Sequence, residues 1–168
     1  PYTYYEAPLK IEDFNLNIQE WEGKIKKYSE PFLDNSDIFM GGASFTFKII
    51  RKYFASSEGG KVAHNVNHSR IYMYGRIKSE DGMVLPLNES YFAYKPENLP
   101  GNDKIISDTK EMVKKLKELQ TAPVVESYTG PALLSGAASG VFFHEIFGHR
   151  IEGQRMKSED DAQTFKKK

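Results

Sequence analysis

The sequence predicts an α+β fold, an antiparallel β meander with flanking helices and a C-terminal motif helix. Apolar residues recur at helical spacing over 17–30 and again over 105–119, and they alternate with polar residues over 44–92. Two short glycine-containing turns interrupt the alternating region, which makes it a series of hairpins. A chain of 168 residues is long enough to bury a real core in one domain or two small ones.

Asn17, with Glu20 three residues on, is a capping-box start, and Ile18, Trp21, Ile25 and Tyr28 then share one helical face. Pro31 is expected to end that helix near Glu30. From Ser44 the period becomes two: Phe45, Phe47 and Ile49 alternate with Thr46 and Lys48, up to the turn Ser57-Glu58-Gly59-Gly60. A second strand turns Ile71, Met73 and Ile77 inward and Arg70, Tyr72, Tyr74, Arg76 and Lys78 outward. After Ser79-Glu80-Asp81-Gly82 a third strand covers Met83 to Phe92, and Tyr94 to Asn102 is a connector rich in Pro and Asn. Ile105, Thr109, Met112, Leu116 and Leu119 form the apolar stripe of an amphipathic helix that Pro123 closes. Val124-Val125 and Ala132-Leu133-Leu134 suggest short buried strands, and Ser135 can cap a last helix from Gly136 to about His149. The organisation is therefore 1–100, a helix plus antiparallel sheet, and 101–168, a helix, short strands and the motif helix, together one truncated α+β unit.

Composition narrows the function. There are 23 Lys+Arg against 23 Asp+Glu, so net charge gives no reason to expect a nucleic-acid or anionic-membrane partner, and neither is expected. The longest uncharged stretch, Ser127–Phe143, has 17 residues and is broken by Gly130, Pro131, Gly136 and Gly140. A membrane span needs about 20 mostly apolar residues, so this stretch reads as a buried segment. With no Cys there is no disulfide, thiol nucleophile or Cys metal ligand within these residues. The first residues have no basic flank followed by an apolar run, and the last three are lysines without a closing cap. The expectation is a piece of a longer polypeptide.

The chemistry concentrates in Gly140-Val141-Phe142-Phe143-His144-Glu145-Ile146-Phe147-Gly148-His149. Neutral imidazoles suit zinc, and the metal lowers the pKa of a bound water to about 7. A carboxylate adjacent to a ligand, here Glu145, can then take the water's proton. The spacing departs from the common His-Glu-x-x-His helix: residues four apart lie about 40° apart around an α-helix, and residues five apart about 140°. An unbroken helix would send His144 and His149 in divergent directions. Convergence requires a π-type turn or a helix break at Phe147–His149. Zinc at a catalytic site takes three protein ligands; the nearby carboxylate, Glu152, could complete the set, but the reading preferred is an exposed charge or an outer partner of an imidazole.

Residues 140–153, ending Arg150-Ile151-Glu152-Gly153, resemble the signature of the TldD/PmbA metalloproteases, historically called modulators of DNA gyrase. Arg51–Gly60 and the stretch from Ala122-Pro123-Val124-Val125 to Leu134-Ser135 are also similar to that family, so the likeness runs from about residue 45 onward. The resemblance implies that His144 and His149 bind zinc, that Glu145 is the catalytic base, and that the metal's third ligand is a Cys from a later β-rich region. It further implies a zinc-dependent peptidase acting on unfolded or flexible peptides inside a homo- or heterodimer of family subunits, with this chain inactive alone. Family members are commonly cytoplasmic, although a leader could lie upstream. The alternative is a non-enzymatic interaction module whose sheet pairs with a partner subunit and whose histidines are structural.

Other candidates have plainer readings. His64 and His68 share a strand face near a turn and read as exposed strand histidines rather than a second metal site. Tyr72, Tyr74, Arg70 and Arg76 could stack single-stranded bases, but the balanced charge favours a solvated sheet face or a subunit contact. The lysines at 110–117 read as the wet face of a helix.

Overall fold

The computed structural model describes residues 2–157. The chain divides into two compact units, Pro1–Pro123 and Val124–Lys168. This boundary falls after the second long helix rather than near residue 100, because that helix closes the core of the sheet.

The first unit is a four-stranded sheet with two helices. Its elements are β1 (Thr3–Tyr5), α1 (Ile18–Leu33), β2 (Ile38–Ala55), β3 (Lys61–Lys78), β4 (Val84–Ala93) and α2 (Asn102–Gln120). β2, β3 and β4 form the expected antiparallel meander. Its two turns place Gly59 and Gly82 at φ of 86° and 87°, left-handed conformations that glycine adopts without steric cost. β2 starts at Ile38, earlier than the alternation from Ser44 indicates, with an irregularity between Ile38 and Met40. β1 is an addition to the expected meander. It runs parallel to the start of β3, Thr3 opposite Lys61 and Tyr5 opposite Ala63, while β4 takes the same edge of β3 from Ser69 onward. Between them Asn65 substitutes for strand pairing: its N–H donates to Glu6 at 2.7 Å and its side-chain amide to the Ala7 carbonyl at 2.7 Å.

One face of the sheet is covered. Tyr28 and Phe32 from α1, Ile71, Met73 and Ile77 from β3, and Ile105, Met112 and Leu116 from α2 form a single core. The helices lie close because two strand positions lack a side chain. A Cβ at Gly75 would come within 2.6 Å of Leu116, and one at Gly41 within 2.8 Å of Phe32. Beyond the core, the Trp21 ring stacks on Phe45 at 3.6 Å.

Several expectations are corrected. α1 continues through Pro31 to Leu33. Proline forfeits one helical hydrogen bond, but the turn beyond it buries Phe32 to 2% exposure, and the Asn35 side chain donates to the Pro31 carbonyl at 2.8 Å. Val124-Val125 and Ala132-Leu133-Leu134 are not strands but exposed coil, since the second unit offers no strand among its described residues to pair with. Ser127–Phe143 is likewise not buried. His64 and His68 are half-buried on β3, with His68 stacked on Phe92. No helix among the described residues is long and apolar enough to cross a membrane.

Candidate metal centre

The second unit holds α3 (Gly136–Ile146), which starts where Ser135 predicts: the hydroxyl accepts from the Ala138 N–H at 3.4 Å. The helix stops at Ile146. Phe147 leaves the helical region, with φ −120° and ψ −51°, and Gly148–Ile151 continues as a turn of tighter 3-10 pitch. This is the break expected at Phe147–His149. Gly148 does not itself need a left-handed conformation, and a Cβ there would make only ordinary contacts, 3.8 Å from the Phe143 carbonyl and 3.9 Å from His144 Nδ1.

The break overcomes the five-residue step. The rings of His144 and His149 meet edge to face with centroids 4.6 Å apart. Glu145 faces both: its Oε2 is 3.6 Å from His149 Nε2 and its Oε1 is 4.0 Å from His144 Nε2. One donor atom from each of His144, Glu145 and His149 lies within 4.8 Å of the others. Two ligands on a tetrahedral zinc sit about 3.4 Å apart, a separation that small side-chain rotations reach from here. His144 and Glu145 are exposed and His149 is half-buried, so the trio is open to solvent.

Glu152 is committed elsewhere. Its Oε1 is 2.9 Å from His149 Nδ1, and Arg155 Nε donates to its other oxygen at 3.3 Å. The His149 hydrogen bond, more than the nearby Arg155 charge, holds the Glu152 carboxyl below its usual pKa. An ionised carboxylate only accepts, so the proton of this bond sits on Nδ1, and a neutral His149 presents its Nε2 lone pair on the side facing Glu145. Glu152 is thus in contact with an imidazole and a guanidinium. Arg155, three residues further on, was not singled out from the sequence; only its spacing from Glu152 could have signalled it.

Nothing else in the described residues gathers ligands in this way. A groove of about 660 Å³ is lined by Ile11, Phe14, Trp21 and Phe45 of the first unit, and its apolar walls carry no comparable chemistry.

No protein-family model matches the chain, and no curated protein matches it. A solved structure from Thermotoga maritima, described as a "putative modulator of a DNA gyrase", is similar in fold, with a TM-score of 0.52 and 14% sequence identity. The match covers 76% of this chain and 30% of that one, so the chain spans about a third of that protein's length. At this identity the likeness shows the fold. Its description carries the historical name of the family that residues 140–153 resemble.

Proposed function

We propose that this chain carries two metal ligands and the catalytic base of a zinc-dependent peptidase. The observation that carries the reading is the convergence of His144, Glu145 and His149 across a helix end, at a spacing that a continuous helix would splay apart. The donor set fits zinc: two imidazoles, one already held in the tautomer that leaves Nε2 free. Glu152 is engaged by His149 and Arg155, which agrees with what the family resemblance implies, a third ligand from outside these residues.

When bound, zinc would polarise a peptide carbonyl and bring the pKa of an attacking water to about 7. Glu145 would accept that water's proton on its carboxylate and return it to the departing amine. Glu152 would keep the His149 ring from turning while this happens. The open setting of the trio suits flexible, unfolded peptides, which can bring a backbone carbonyl to it. α3 is broadly apolar and leaves Val141, Phe142 and Phe143 exposed, which supports burial of this helix in a larger assembly, a homo- or heterodimer of related subunits.

Zinc content and hydrolysis of an unfolded fluorogenic peptide, measured on the longer parent polypeptide, test the reading. The expected result is about one zinc per chain, lost in His144→Ala and in His149→Ala. Glu145→Gln should keep the metal and lose activity by about a hundredfold or more. A parent with no zinc, or a Glu145→Gln variant that cleaves at the parental rate, would overturn it.

A further inference from the structure

The balanced composition hides a segregation of charge on the sheet. Ile71, Met73 and Ile77 of β3 point into the helix-covered core, so the even-numbered positions of β3 and their cross-strand partners form the opposite, open face. Five cations stand exposed there: Lys48, Lys52, Arg70, Arg76 and Lys78. β2, β3 and β4 place no Asp or Glu on that face, since Glu89, the acid within these strands, pairs with Met73 on the helix side. None of the five is in an ion pair among the described residues, although Lys78 lies over the Phe39 ring at 5.4 Å. The nearest acids along these strands, Glu58, Glu80 and Asp81, belong to the turns, and Glu6, just past β1, stands beside His64 at one end of the face, engaged by Tyr4 and Asn65.

Aromatic rings lie between these charges. Tyr72 and Tyr74 are nearly parallel with centroids 6.2 Å apart, and His68 stacks on Phe92 at 5.8 Å. Arg70 sits directly across from Phe92 and from Thr46, and Lys48 directly across from His68. At about 3.3 Å per residue, the run from His64 to Lys78 makes a track about 45 Å long.

We propose that this open face binds single-stranded nucleic acid, with phosphates on the lysines and arginines and bases stacked on the tyrosines, His68 and Phe92. Tyr72 and Phe92 are exposed and His68 and Tyr74 half-buried, and stacking on such rings beside a cationic path is how strands are held without sequence reading. The competing occupants each use less of what is present. A second copy docked face to face would oppose like charges, an acidic polypeptide would leave the rings idle, and a duplex keeps its base faces hidden. Zero net charge argues against such a partner only when the charges are mixed, and here they are sorted. The proposal is independent of the metal centre.

Fluorescence anisotropy of a labelled oligothymidylate about 12 nucleotides long, titrated with the chain across a salt series, tests it. Binding should weaken with salt, and Arg70→Gln with Arg76→Gln should reduce the log–log salt slope by about 1.4. Tyr72→Ala with Tyr74→Ala should weaken binding about tenfold or more while keeping the slope. Lys110→Gln with Lys114→Gln, on the solvated side of α2, serves as the control and should change neither affinity nor slope beyond a general charge effect. Tyr74 is half-buried over Gly42 and the other altered side chains are exposed, and a thermal melt confirms that each variant folds. The proposal is overturned by absent binding at low salt, by equal loss in the α2 control, by a preference for the duplex, or by polyglutamate binding as well as the oligonucleotide with no effect of the tyrosine changes.

Discussion

The residues up to Pro123 bury Tyr28, Phe32, Ile71, Met73 and Leu116 almost completely, whereas α3, richer in apolar residues than α1 or α2, buries none of its own. The difference lies in pattern rather than amount. α1 and α2 each concentrate their apolar side chains on one face, so a sheet and two helices suffice to cover them. In α3, Val141, Phe142, Phe143 and Ile146 spread over about 200° of the helix, with Glu145 between them and His144 on the remaining arc, so they form no narrow stripe. His144 and Glu145 therefore sit on an element without a core of its own, and His149 on the turn that follows it. Their arrangement is held by local bonds: the Ser135 cap, the Phe147 N–H to the Phe143 carbonyl at 3.0 Å, and the Glu152 contact.

The largest effect expected from this contrast is in the first unit. Phe32→Ala removes the ring that fills the space over Gly41 and Gly75 and should cost about 3–5 kcal/mol in urea unfolding. A loss below about 1 kcal/mol would mean that this core is not what holds the unit together. Next comes the locally held site. Glu152→Gln should lower the zinc affinity of the parent polypeptide by about 10- to 100-fold, read with a competing chelator, because His149 loses its charged orienting partner. An unchanged affinity would leave Glu152 a surface residue. The smallest effect is at the break itself. Gly148→Ala should change zinc affinity by less than about twofold, since the position has room for a Cβ and no left-handed backbone. A large loss there would show that the chain must bend further at Gly148 when metal binds.

Most of the first unit was legible because its signals are local. The Asn17 cap, the two glycine turns and the alternation of Ile71, Met73 and Ile77 each act within a few residues. β1 was not legible: three residues show no period, and their place depends on Asn65, about 60 positions away. Pro31 misled because the preference of a residue before proline is weaker than the burial of Phe32 just beyond it. The coil at 124–134 misled in the opposite direction, since apolar runs make strands only where a neighbouring strand accepts their hydrogen bonds. At the site, the helix break followed from geometry, while the sorting of lysines and arginines onto one sheet face emerges only once the register of β2, β3 and β4 is known.

The tightening of the chain after Ile146 bears on how such sites are found and altered. Two imidazoles can be brought together by an even coil with three residues between them, or by a coil that stops and rewinds with four. Adding or deleting a single residue between His144 and His149 would thus not lengthen or shorten the site slightly; it would swing one ring by about 100° and require a different backbone to bring it back.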